Sequence, residues 1–316
     1  MPITLLPLNQ FPAHNLGQWA WAECPLPVNG NDSDHNIFLR VAGQGYGATG
    51  APLDIQHAIE SIEIAPDTGA VLTVSPRALR LFEVLHNVNL DVADPSVLNL
   101  PLARLGLTGV SDWPTGKMGK CLLRVLPKAA LPANSSGNPA LTLTALTAHA
   151  RSEQLAAPAP LGGVFSFHQS THMPVTGWNI IENVSLGHLR ALTKLLLFCP
   201  LTGANLNNAA SNAILELKVT RAREVVYSAT KQIALAELAS SPLYRAQHVG
   251  GAENEFFAAV FDTTGRPGDF LGLTNGNVRQ PLKLEYYWNP AVTPESVQIV
   301  AEGILAQGAD PLISAI

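Results

Sequence analysis

Two histidines four residues apart, His168 and His172, are the first residues here whose type and spacing suggest chemistry. On a helix that spacing sets two metal ligands on one face. On the strand expected for this segment it separates them by about 13 Å, too far for one zinc ion, and no HEXXH glutamate accompanies them. They read as ordinary surface or interface histidines. Gly45-Tyr46-Gly47-Ala48-Thr49-Gly50 satisfies the G-x-G-x-x-G pattern of dinucleotide sites. That fingerprint needs a helix opening on the glycines and parallel strands beyond, whereas Pro52 to Ile64 runs toward a hairpin, so a glycine-rich loop is the better account. Gly116-Lys117-Met118 lacks the hydroxyl residue and upstream glycine of a phosphate loop.

Asp32-Ser33-Asp34-His35-Asn36 starts like a calcium loop, but Ile37 stands where Gly is needed and Gly43 where the bidentate Glu is needed. A turn built on Asx hydrogen bonds is expected instead, with Asp32, Asp34 or Asp262 left open as ligands of a looser calcium site between subunits. No G-x-S-x-G elbow supplies a serine nucleophile. Cys121 and Cys199 lie inside apolar strands and read as inert thiols; with Cys24 they make three widely spaced cysteines, unsuited to a disulfide framework. In Tyr286-Tyr287-Trp288 a strand turns Tyr286 and Trp288 to one face and Tyr287 to the other. Core on one side and an interface aromatic on the other is expected; stacking on a sugar ring is the competing use. No catalytic, cofactor-binding or metal-ligating residue is assigned.

The elements that carry these residues repeat. Leu105-Gly106-Leu107-Thr108 returns as Leu271-Gly272-Leu273-Thr274, and its neighbours return in order. Strand Ile59 to Ile64, strand Ala70 to Val74 and a helix over Pro76 to His86 are answered by Ala213 to Val219, Val225 to Ala229 and a helix over Lys231 to Ala239. Three strands close each half: Leu98 to Leu107, Cys121 to Leu126 and Leu141 to Leu146, against Phe256 to Phe261, Leu282 to Trp288 and Val297 to Val300. A period near half the chain suits a duplicated domain. Short strands bounded by Gly, Pro and Asp, without alternating long helices, exclude a parallel α/β sheet and favour two eight-stranded jelly rolls. The expected division is an N-terminal lead with a first strand over 1–36, a first jelly roll over 37–151, an Ala- and Pro-rich linker over 152–163, a second jelly roll over 164–305 and a tail over 306–316.

Composition points to assembly. Only 14% of the 316 residues are charged, and the net charge is −5. Mean hydropathy is +0.17. No run of 18 apolar residues exists to span a bilayer; Ala191 to Leu201 is short and holds Lys194. The N-terminus lacks the cationic and apolar parts of a secretion signal, so synthesis and retention in a cytoplasm are expected. A charge-poor chain without a span should cover much of its surface with partners. The 19 Lys and Arg form no run, so no direct nucleic-acid binding is expected.

The duplicated order of strand, strand, helix and three strands resembles the double jelly-roll major capsid proteins of tailless icosahedral viruses, including bacterial viruses with an internal membrane. The resemblance covers most of residues 37 to 305 and rests on Ile59 to His86 with Ile214 to Ala239, and on Gly119 to Leu146 with Gln280 to Gly303. It implies a helix between the sixth and seventh strands of each jelly roll. It also implies a homotrimer forming pseudo-hexameric capsomers, which tile a shell with neighbouring capsomers, penton or minor capsid proteins, and a virion location after synthesis in the host cytoplasm. By the same analogy the N-terminal lead or the tail Pro311 to Ile316 would touch a membrane surface or a neighbouring subunit. The chain departs from that pattern in its short loops, where some members of the family carry long surface loops. Two other readings stay open: a two-sandwich carbohydrate- or receptor-binding module, and a polysaccharide hydrolase with paired carboxylates, for which no pair is singled out.

Overall fold

The computed structural model describes residues 3–8, 11, 20–26, 32–45, 51–66, 70–85, 94–102, 120–128, 142–154, 165–200, 212–240, 255–262, 269–275 and 278–305. The chain divides into two compact units, one of Met1–Leu79, Ala93–Ser166 and Leu305–Ile316, the other of Arg80–Val92 and Phe167–Ile304.

In chain order the first half contains β1 (Ile3–Pro7), β2 (Ala22–Pro25), β3 (Asp32–Gln44), α1 (Ile55–Ala58), β4 (Ile59–Pro66), β5 (Leu72–Val74), α2 (Pro76–Leu85), β6 (Val97–Pro101), β7 (Cys121–Pro127) and β8 (Thr142–Gln154). They form two four-stranded sheets, β1-β8-β3-β6 and β2-β7-β4-β5. Every pairing within them is antiparallel. This interleaved order is that of a jelly roll.

The second half contains β9 (Phe165–His172), β10 (Gly177–Ile181), β11 (Ala191–Phe198), β12 (Ile214–Arg221), β13 (Glu224–Thr230), α3 (Lys231–Ser240), β14 (Phe256–Val260), β15 (Leu271–Gly272), β16 (Thr274–Asn275), β17 (Val278–Arg279), β18 (Leu282–Trp288) and β19 (Val297–Ile304). Its sheets run β9-β19-β11-β14 and β10-β18-β12-β13, with β15 beside β11 and a small β16-β17 hairpin. Leaving out the small strands β15 to β17, the two orders are the same strand for strand. Thus β1 answers to β9, β2 to β10, β3 to β11, β4 to β12, β5 to β13, β6 to β14, β7 to β18 and β8 to β19.

Local chemistry explains the helices. Ser75 caps α2: its Oγ accepts from the Ala78 amide at 3.3 Å, and Pro76 fills the first turn, where its missing N–H is no loss. Asp54 caps the four-residue α1 by accepting from the Gln56 amide at 2.9 Å. In each half the long helix follows the fifth described strand and, with the small strands β15 to β17 left out, precedes the last three, one place earlier than the sixth-to-seventh position expected.

Alternation sets the faces. β7 and β18 bury every second residue, so one side of each turns to its core and the other outward. By contrast β14 is buried throughout, as is nearly all of β11 and β19. Each jelly roll also needs one glycine where the long pair β3/β8 or β11/β19 shifts register. A Cβ on Gly43 would strike the Thr142 carbonyl, and one on Gly303 the Ala191 carbonyl.

Several expected boundaries move. Asp32, Ser33 and Asp34 open β3, pairing with Gln154, Glu153 and Ser152, so extended backbone stands where an Asx turn was expected. β8 ends at Gln154, inside the expected linker. The expected lead carries β1 and β2, which pair with β8 and β7. The first Leu-Gly-Leu-Thr copy, Trp19, His86, most of the glycine-rich loop and the tail lie outside the described residues.

Candidate assembly surface

The structure disperses the residues with chemical potential. His168 and His172 both lie on β9, each engaged separately. His172 Nδ1 and Tyr286 Oη are hydrogen-bonded at 2.6 Å, with the rings edge-on at 5.8 Å. His168 Nε2 meets Ser185 Oγ at 3.1 Å. Among the described residues no group of three His, Cys, Asp or Glu is placed to hold a metal. Asp262 is wholly buried. Gly45 follows β3, and the next helix, α1, is four residues long and leads into a strand antiparallel to its neighbours, unlike a dinucleotide site.

Burial holds the His168 pKa below its ordinary value, and the charges of Arg279 and then His188 push the same way. A depressed histidine takes its proton more readily when unfolded, so its contribution to stability is full at neutral pH. That contribution is lost as pH falls below the ordinary value of 6.5 toward the folded one. The urea midpoint of the protein should therefore drop between about pH 7.5 and about pH 5, and His168→Gln should flatten that part of the profile. A profile unchanged by the substitution would contradict the assignment.

The cysteines are unbridged and buried. Burial pushes the Cys24 thiol up to about 11 and, with the charge of Glu295 adding, the Cys199 thiol to about 12. Neither offers a thiolate at neutral pH. Tyr286 and Trp288 are fully buried, while Tyr287 faces outward and meets Trp178 with ring centroids 5.5 Å apart.

What remains is surface. On the outer side of β2-β7-β4-β5, Arg124 bridges Glu23 and Glu63, each at 3.1 Å, with its guanidinium 4.8 Å from the Trp21 ring. On the matching side of β10-β18-β12-β13, Glu285 meets Lys218 at 3.2 Å and Lys283 at 3.6 Å. Met173, Val175, Trp178, Ile180, Val225, Ile233 and Val278 are all more than half exposed. Asn179 fixes the segment carrying the first of these: it accepts from the Val175 amide and donates to the Val175 and Gly177 carbonyls, all within 2.9 Å. Apolar side chains held rigidly in water mark an interaction surface. Sequence reasoning missed this edge because β10, which opens on Gly177 and carries the polar Asn179 inward, is too short to show a period.

No family model matches the sequence. No curated protein matches it either. Solved structures do. The major capsid protein of bacteriophage PM2 aligns over 96% of this chain and 98% of its own at 13% identity, with a TM-score of 0.63. A chain of Sulfolobus turreted icosahedral virus covers 99% and 94% at 11% identity, with a TM-score of 0.68. The faustovirus major capsid protein covers 96% and 90% at 6% identity, with a TM-score of 0.60. At such identities the likeness establishes the fold, the all-β double jelly roll of these capsid proteins.

Proposed function

We propose that this chain is a major capsid protein, a structural subunit that trimerises into pseudo-hexameric capsomers and tiles an icosahedral viral shell. The observation that carries the reading is the duplication itself. Two jelly rolls of one strand order fill the chain, and the likeness to capsid subunits spans nearly all of both partners. Three copies of two like units make six like units around a threefold axis, so a few kinds of contact suffice for a closed shell. The low charge and the exposed apolar side chains fit a subunit whose surface is completed by others of its kind. On this reading the protein resides in the virion, contacts penton or minor capsid proteins, and performs no catalysis.

Purified protein at low micromolar concentration should scatter light as a trimer of about 100 kDa, three times the chain mass of 33.5 kDa. Little folded monomer should coexist with it. A well-behaved monomer would overturn the capsid reading. The exposed Trp178 and Tyr287 would then turn attention to a sugar- or receptor-binding sandwich.

A further inference from the structure

The two jelly rolls share a strand order but not a pattern of burial, and the differences are complementary. Helix α2 is buried on nearly every side, with only Arg77 and Glu83 partly open. Its counterpart α3 buries Lys231, Ala234 and Leu238 and leaves Gln232, Ile233, Ala236, Glu237, Ala239 and Ser240 exposed. The sheets differ in the opposite sense. In the second jelly roll β14 and nearly all of β11 and β19 are buried on both faces. In the first, β6, β3 and β8 are buried on one face only, and the other presents Phe38, Arg40, Val97, Asn99, Thr147 and His149. These six are cross-strand neighbours: Phe38 pairs with Asn99 and His149, and Arg40 with Val97 and Thr147. Each open surface is the topological counterpart of a covered one.

We infer that the open face of α3 in one copy docks on the outer face of β6-β3-β8 in the next copy, head to tail, and that this contact closes the trimer. The inference rests on the capsid reading and names the surfaces that reading needs. Both surfaces are of fitting chemistry. α3 offers the Ile233 side chain, 60% exposed, with small alanines beside it, so the helix can approach a sheet closely. The sheet offers the half-buried Phe38 and Val97. Charge agrees in sign: α3 carries the carboxylate of Glu237, and the sheet carries the exposed guanidinium of Arg40. Because the two surfaces differ, the contact is heterologous, and it forms a ring only if the rotation closes, here after three copies.

The test uses the full chain and light scattering at low micromolar concentration, with each variant's folding checked by its urea midpoint. Ile233→Asp spoils the helix and Arg40→Glu spoils the sheet; both positions are exposed, so folding should survive. Each is expected to turn the trimer into monomer. Mixed one to one, they should form dimers and no trimers, because only the helix of the Arg40→Glu chain and the sheet of the Ile233→Asp chain remain competent. Arg40→Glu combined with Glu237→Arg should restore the trimer, and Val278→Asp, likewise exposed but on the separate β16-β17 hairpin, should leave it intact. A folded Ile233→Asp protein that stays trimeric, or a mixture that stays monomeric, would overturn the inference while leaving the capsid reading standing. A monomeric parent protein would instead remove the reading on which it rests.

Discussion

Replacing Lys194 by Met should cost the fold about 3–5 kcal/mol, the loss expected when one partner of a buried ion pair is removed. Lys194 on β11 and Glu302 on β19 are cross-strand neighbours whose side chains are 2% and 3% exposed, and the ammonium donates to the Glu302 carboxylate. Thr193 Oγ1 donates to the same oxygen at 2.6 Å. Without the lysine, a buried carboxylate loses the cation that offsets its charge. The cost lies in keeping a buried negative charge without that cation more than in the attraction lost, so replacing both residues, Lys194→Met with Glu302→Leu, should recover most of the stability. The single variant should also gain stability on acidification, since protonation neutralises the buried carboxylate. Urea midpoints of the parent, the two singles and the double variant would decide. Singles costing under about 1 kcal/mol would mean that the pair is wet.

The same pair shows how far the sequence could be read. Lys194 is visible there as the charge that keeps Ala191 to Leu201 from resembling a membrane span, and Glu302 as a charge within Val-Ala-Glu-Gly-Ile. Neither segment alone says that they meet. The duplication was legible because it is written in local patterns: the stretches matched as Ile59 to Ile64 and Ala213 to Val219 are β4 and β12, and those matched as Cys121 to Leu126 and Leu282 to Trp288 are β7 and β18. The paired members occupy equivalent places in their sheets. Both long helices were legible for the same reason, through Pro76 and the spacing of Leu and Ala.

Other features were hidden by physics that acts over distance. Asp32 to Asp34 carry every mark of a turn, yet pairing with β8 holds them extended, since a long antiparallel partner can override local preference. The demands on Gly43 and Gly303 come from carbonyls a hundred residues away and leave no local trace. The candidate surface was legible only as composition. A low charge says that something covers the molecule, but which face depends on burial that differs between two halves of like order. Ile233 on α3 and Phe82 on α2 sit on equivalent helices, one exposed and one buried. Helical spacing alone could not separate them.

The parity of β18 gives the second large effect. Tyr286-Tyr287-Trp288 offers aromatics to both faces, and a slip of one residue would exchange them. In the structure Trp288 is fully buried, opposite Gly177 on one side and Ile214 on the other, and its indole N–H donates to the Val292 carbonyl at 2.8 Å. That bond closes the turn after β18, where Asn289 also donates its side-chain amide to the Asn212 carbonyl and accepts from the Ala291 amide. Trp288→Ala should therefore cost about 3–5 kcal/mol for the lost packing. The orphaned Val292 carbonyl should add about 1 kcal/mol. Trp288→Phe keeps most of the bulk and loses only the N–H, so its cost should fall well below that. Tyr287→Ala, which removes an outward ring and its edge contact with Trp178, should cost no more than about 1.5 kcal/mol in the isolated protein. The order Trp288→Ala far above Tyr287→Ala in urea unfolding fixes which face is core. The reverse order would place Tyr287 inside, turn Lys283 and Glu285 with it, and remove their charges from the surface where a neighbouring copy would read them.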